Sequence, residues 1–515
     1  MNNLIFNKGQ GGLGTPLPGS DYISALLFYS ATLPSGFSSG SRIKIVYSVA
    51  DAVALGITNA SLGETKSTAT YLFTNKGAVG DTFAITCATI ASTSPIPADA
   101  TAGTVTLASY TQVTADVVSV TTAGDRLAAE INLGTPTHGF TASNNTGTVT
   151  ITAAAGQGLF LNTGTPYVVT VTGTIAGTLT QNVVVGVPSE IDIMYYHISE
   201  FFRMQPKGKL YVGIYATADV GTFSNITDMQ TYAEGAIRQI GVYYKSTAMT
   251  DAHSTTCQAI GVALAAVYRP LEILLGGDLS ATTASALPNK RLLTAYGVST
   301  VIGQDGAKKG FKLYKATGKS IGSIGACLGT IALANVNEDI AWVGKFNLSD
   351  GSELEYPALS TGELIKSLST GSVTNTDNFG YIFLKKEIDY SGTFWNDSHT
   401  NVALTSDYAY IERNRSINKA IRGMRFYLVP ELARPLLVDT DGKLSVGVCS
   451  NFESLAQKAL DQMTNNAELS AAKASVNSDQ DVVSTSTITI VVQLIPTGTA
   501  RTITVNVGFT TSITN

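Results

Sequence analysis

The sequence predicts a multidomain α/β fold: an α/β core and a C-terminal α+β domain, with an all-β, sandwich-like domain inserted into the core. Three observations predict it. Residues 66–187 hold eight charged residues in 122, about 7% against 14% for the whole chain, and none lies between Glu130 and Glu190. After Pro188, short apolar runs alternate with stretches of helical spacing. Near the C-terminal end, two runs alternate apolar and polar residues with strict period two. At roughly 100–200 residues per domain, 515 residues suggest three or four domains, each able to bury a core.

Residues 1–20 read as an extended N-terminal arm, in which Leu4, Ile5 and Phe6 precede a Gly/Pro-rich segment. Residues 21–65 supply a strand, Ile23–Tyr29, and a short helix, Val49–Leu55. With 188–400 they form a discontinuous middle domain. Between them, 66–187 carries alternating runs such as Thr148–Thr152 and Tyr167–Thr174, frequent turn residues, and one helix at Ala115–Ile131. A block of foreign composition reads as an inserted domain with close termini. In the middle domain, Leu210–Tyr215 is a buried strand, and Ile226, Met229, Ala233, Ile237 and Ile240 recur at helical spacing. Gly241–Tyr244, 254–268, Leu271–Leu275, Thr300–Ile302 and 321–334 continue the alternation, which argues for a mostly parallel sheet.

The C-terminal domain, 401–515, begins with a helix at Arg415–Leu428 whose face is Ile417, Ala420, Ile421 and Met424. A second helix is expected to open with a capping box, Ser450 and Glu453, and to carry Phe452, Leu455, Ala456, Ala459, Leu460 and Met463 in one stripe. The two period-two strands follow. Ile488, Ile490, Val492 and Leu494 share one face of the first; Ile503, Val505, Val507 and Phe509 share one face of the second. Pro496–Thr499 between them predicts a hairpin.

Composition narrows the function classes. With 33 Lys plus Arg against 38 Asp plus Glu, the net charge is −5, which gives no electrostatic footprint for direct nucleic-acid binding. The longest apolar run, Gly261–Tyr268, is far short of the ~20 residues that span a bilayer, so no membrane insertion is expected. The N-terminus lacks the basic and apolar regions of a signal peptide. Cys87, Cys257, Cys327 and Cys449 lie at least 70 residues apart without framework spacing, which suits a reduced compartment.

No motif carries chemistry. Gly9, Gly11 and Gly14 spell GxGxxG, but Pro16 and Pro18 stand where a phosphate-binding helix would start. Gly318–Gly322 matches GxSxG, yet the downstream His399 has Asp397 only two residues before it, and Ser320 reads as a small residue at a helix start. A phosphate loop there would need Gly where Leu313 stands. Asp439–Gly442 opens like a calcium loop and fails at Lys443 and Ser450, so it reads as a turn. His138, His197, His253 and His399 are isolated from one another and from the cysteines. No catalytic residue, cofactor site or metal site is expected. Arg413, Arg415, Lys419, Arg422 and Arg425 form the one basic cluster, a solvated helix face, a contact with an acidic neighbouring subunit or the tube, or, least favoured, a nucleic-acid contact.

Five stretches together resemble the contractile tail sheath proteins of bacteriophages, in a divergent branch: Tyr196–Tyr215, Gly235–Tyr244, Gly392–Thr400, Tyr410–Met424 and Leu494–Phe509. The resemblance excludes 66–187. It implies a non-enzymatic subunit of six-subunit rings stacked helically around a tail tube, assembled in the host cytoplasm into the virion tail. Its implied partners are further copies of itself, the tube protein, and baseplate and tail terminator proteins. It also implies arms that add strands to neighbouring sheets, which would occupy Leu4–Phe6 and the two C-terminal strands. A glycan-binding adhesin, a hydrolase built on Ser320 and the sheath of a non-phage injection system are the rival readings.

Overall fold

The computed structural model describes residues 21–90, 103–349 and 353–509. Leu4, Ile5, Phe6 and the GxGxxG segment lie outside the described residues. The body is organised by a seven-stranded sheet: β1 (Ile23–Tyr29), β2 (Ile43–Val46), β3 (Lys209–Tyr215), β4 (Gln239–Ala248), β5 (Glu272–Asp278), β6 (Val298–Val301) and β7 (Tyr381–Ile382). Its order is β7-β6-β5-β4-β1-β3-β2. Every neighbouring pair is parallel except β2, which runs antiparallel on β3 at the edge.

β1 explains why. All seven of its residues are buried, as expected of a strand covered on both faces. Leu26 and Phe28 join one core with α1 (Glu190–Met204) and the later helix Ile324–Leu333. Ala25, Leu27 and Tyr29 join a second core with α2 (Asn225–Tyr232) and α3 (Asp251–Ala266). The period of two thus sends alternate side chains to helices on opposite sides. The helix Ile324–Leu333, α4, lies tight against α1. A Cβ on Gly325 would stand 2.0 Å from the His197 carbonyl oxygen, and one on Gly329 2.6 Å from that of Phe201. Two glycines four apart clear one stripe for this approach.

The helical spacing expected through Ile240 ends sooner. Glu234 and Gly235 take positive φ (53° and 79°), which stops the helix and starts β4. The helix expected at Ala115–Ile131 runs Val120–Leu133, because Ser119 and Thr122 form its capping box.

Residues 66–187 fold into two antiparallel sheets of four and three strands around one core. Tyr71, Phe73, Phe83 and Tyr110 meet there at ring separations of 4.9–5.8 Å. The helix Val120–Leu133 contributes Ala123, Leu127 and Ile131 to the same core, so one wall is helical rather than β. The ends of this block adjoin: Thr65 and Val187 exchange backbone hydrogen bonds of 3.0 and 2.8 Å. It rests on the body where Ile90 packs with Phe311 and Ala316.

The C-terminal unit begins at Glu412, not near 401, and takes in Asn335–Asp339. Residues 398–411 belong with the body because Asn401 and Val402 pair with Ala295 and Thr294, and the Ile411 N–H donates to the Ser398 carbonyl. Among the described residues no helix is long and apolar enough to cross a membrane.

Candidate assembly surface of the C-terminal unit

This unit contains two helices, α5 (Ile411–Leu428) and α6 (Val446–Asn465), and a two-stranded antiparallel sheet, β8 (Leu469–Val476) and β9 (Ile490–Pro496). Its core is made largely of small residues: Ala420, Ala456, Ala459, Leu460, Met463, Leu469 and Ala474. Ile490, Val492 and Leu494 pack against it half-buried, so the face predicted for the first strand is the inward face. Phe452, Ala456, Ala459, Leu460 and Met463 are buried as a stripe on α6. The expected capping box is not where the helix starts. Ser445 caps α6, accepting from the Val448 N–H, and Ser450 lies inside it.

Glu453 does other work. Its Oε1 accepts the Val476 N–H at 2.8 Å. One turn on, Gln457 Oε1 accepts the Ala474 N–H at 2.9 Å, and its Nε2 donates to the Ala472 carbonyl at 3.1 Å. These three β8 residues therefore point their backbone groups away from β9. In an antiparallel ladder, directly opposed residues either bond each other or both face away. Ala472, Ala474 and Val476 oppose Leu494, Val492 and Ile490, so those three β9 residues turn their N–H and C=O groups to the outer edge. The β8 edge is capped by helix side chains. At the start of β9, Gln480 closes Thr489 in the same way, at 2.7 and 3.1 Å. No described residue closes the stretch Ile490–Leu494.

The predicted hairpin is not formed. β9 pairs with β8, and residues 502–509 are extended, exposed and outside any strand. Ile503, Val505, Val507 and Phe509 are among the most exposed apolar residues of the chain, at 73% or more. A physical reason lies at the root of this tail. Pro496 has no N–H to offer a ladder. Arg501, five residues on, is held by two buried carboxylates, Asp339 Oδ2 at 2.8 Å and Glu412 Oε1 at 2.6 Å.

The basic cluster divides. Lys419 Nζ lies 2.5 Å from Glu468 Oε1, with both side chains only 10% exposed. Arg415 is buried and donates to the Asn335 carbonyl at 3.1 Å. These two cannot touch a neighbour. Arg413 and Arg422 are half-buried and Arg425 is exposed, so only this part of the cluster can.

The chemical candidates are committed elsewhere. Ser320 is buried and precedes α4 rather than starting it; its hydroxyl accepts the Leu279 N–H at 2.8 Å and donates to the Ser360 carbonyl at 2.5 Å. His399 bonds Arg291 and Asp377 instead. Ser320→Ala is accordingly expected to cost about 1–3 kcal/mol in denaturant unfolding, by leaving a buried N–H unpaired, and to change no ester turnover. Asp439–Gly442 is a turn, with Gly442 at φ 78° and Lys443 paired to Asp479. The four cysteines are buried and unbridged. Burial pushes the Cys87 thiol up to about 12, and those of Cys257 and Cys327 up as well. Among the described residues no cluster of His, Cys, Asp and Glu could hold a metal.

No curated protein matches the chain. Solved structures similar to it include a contracted helical sheath of the anti-feeding prophage (14% identity, 61% of this chain and 81% of that one, TM-score 0.43). A chain of the anti-feeding prophage baseplate is similar at 13% identity, 62% and 80% coverage and TM-score 0.42. A sheath tail protein from Desulfitobacterium hafniense is similar at 10% identity, 96% and 100% coverage and TM-score 0.37. Residues 1–399 match the family model described as DUF2586, N-terminal domain, and 407–514 match DUF2586, C-terminal domain, so the chain belongs to the DUF2586 family.

Proposed function

We propose that this protein is the sheath subunit of a contractile phage tail, a non-enzymatic structural protein that assembles with copies of itself around a tube. The observation that carries this is the C-terminal tail. A seven-residue, uncharged, period-two apolar segment stands exposed without a hydrogen bond to any described residue, beside a two-stranded sheet whose β9 edge no described residue pairs. A two-stranded sheet is marginal in water, and an exposed apolar strand is a pairing site. A self-assembling protein has a use for both, and the five sequence stretches that resemble tail sheaths agree with it. In this reading six-subunit rings stack into a tube that shortens to drive the inner tube through the host envelope. The work comes from a metastable assembled state. The N-terminal Leu4–Phe6 arm and the exposed Arg425 end of the basic cluster would supply further contacts between subunits or with the tube.

Electron microscopy of the purified protein tests this. Tubes or polysheaths are expected; a monodisperse monomer under all assembly conditions would overturn it and favour the adhesin reading. The 66–187 block would face outward, its solvent side made of Thr, Ser and Asn. Joining residue 65 to 188 by a short Gly/Ser linker is expected to leave tubes intact, since Thr65 and Val187 already adjoin. The cost should be a drop of a few degrees in Tm from uncovering Phe311, read by calorimetry.

A further inference from the structure

We infer that a cavity of about 320 Å³ between the 66–187 block and the body binds a small hydroxylated anion, a sugar acid or a sugar phosphate, with Lys309 and Lys312 taking its charge and Asp192 its hydroxyls. The inference does not depend on self-assembly. The volume lies in the range of small-ligand sites. Two helices wall the cavity. α1 gives Asp192 and Tyr195, and the helix Lys309–Thr317 gives Lys309, Lys312 and Leu313, each set spaced to share one helix face. The block closes it with Ile90 and Gln157. Gln157 Oε1 accepts the Ile90 N–H at 2.9 Å and its Nε2 donates to the Ile90 carbonyl at 3.4 Å, so this wall is fixed before a ligand arrives.

Charge selects the ligand. Lys308, Lys309, Lys312 and Lys315 put four ammonium groups within eight residues of a chain whose net charge is −5. The N–H groups at the start of that helix are not what draws an anion, because Asp305 Oδ2 already accepts from Lys308 and Gly310 at 2.8 and 3.1 Å. Glu353 lies 3.4 Å from Lys309, whose side chain is 55% exposed, and so wet a pairing yields to a competing anion. At the α1 wall a bare anion would be repelled. Asp192 offers only acceptors, and Ser61 donates to each of its oxygens, at 3.0 and 3.1 Å. Each oxygen keeps a further lone pair, which calls for hydroxyl donors on the ligand. Half-buried Tyr195 and Leu313 supply apolar surface for a ring to rest on. Burial pushes the Asp192 carboxyl above its usual range and the Lys312 ammonium below its own. Displaced pairs of this kind gather at functional sites.

Isothermal titration of the full chain with glucuronate and with glucose 6-phosphate tests this, the two arms separating a carboxylate from a phosphate. Glucose and sulfate are the controls. Saturable binding of at least one sugar anion at one site is expected, roughly tenfold or more tighter than either control. Lys312→Gln should weaken it roughly tenfold or more. Ala155→Trp, at an exposed position of the cavity lining, should weaken it as much by filling the mouth while leaving every charge in place. Lys315→Gln, on the same helix but outside the cavity, should leave binding unchanged. Both of these positions are exposed, so the result does not hang on how Lys312→Gln folds. Binding of neither sugar anion, or full binding by Ala155→Trp, would overturn the inference. Equal binding of sulfate, or equal losses in Lys312→Gln and Lys315→Gln, would overturn it as well, by assigning the effect to the helix's charge rather than to the cavity.

Discussion

Ending the chain at residue 501 is expected to abolish tube formation while leaving unfolding free energy within about 0.5 kcal/mol of the full-length protein. The two halves of this result have separate causes. Residues 502–509 are exposed and make no hydrogen bond to any described residue, so their loss is expected to uncover no core. Assembly loses the donor strand of every contact at once. A strand of this length contributes several backbone hydrogen bonds of ~1 kcal/mol each plus the burial of four apolar side chains. Repeated in every subunit of a lattice, that loss is not made up by weaker contacts. Val505→Asp should act in the same direction, because a carboxylate on the covered face has no partner. Negative-stain micrographs and sedimentation measure the first half, and chemical denaturation the second. Tubes of normal length from the truncated chain would sink the idea that the tail holds subunits together.

Lys419→Ala is expected to have the largest effect on stability, about 3–5 kcal/mol, concentrated in the C-terminal unit. Lys419 and Glu468 face each other at 2.5 Å, and each side chain is only 10% exposed. Removing the lysine leaves Glu468 as a buried carboxylate beside the Leu469 and Met463 core. Replacing both, as Lys419→Met with Glu468→Leu, should recover most of the loss, since no uncompensated charge remains. Arg425→Ala, at an exposed position of the same helix, should stay within about 0.5 kcal/mol. Denaturant titration followed by hydrogen exchange of α6 separates these outcomes. Equal, small effects for Lys419→Ala and Arg425→Ala would mean that the ion pair is not buried in solution.

Those two residues mark where sequence reasoning ended. Lys419 and Arg425 sit on one helix with the same local appearance, and the sequence alone reads both as surface charges. What separates them is Glu468, 49 residues away and brought close by the packing of α6 and β8. Gln457 went unread, and Glu453 was read as a capping-box partner, for a similar reason. Their signal was a polar pair four apart on a helix, and its meaning depends on the strand edge laid beside it. Ser320 reads in the sequence as a small residue at a helix start, and only its neighbours Leu279 and Ser360 show what its hydroxyl bonds.

The sequence by itself determined the features that depend on local repetition. The largely apolar run Ile23–Tyr29 marked a strand, and alternation set one common face for Ile490, Val492 and Leu494. The charge-poor composition of 66–187 set that segment apart from the rest of the chain. These follow from the periods of strand and helix and from the cost of burying charge, which are properties of neighbours in the chain. Only the tertiary structure decided who pairs with whom. Both C-terminal segments had strand character, yet β9 took β8 as its partner and residues 503–509 took none among the described residues, while Arg501 between them bonds Asp339 and Glu412. Strand pairing is a contest between contacts far apart in sequence, and a segment's own pattern sets its face and period but not its partner.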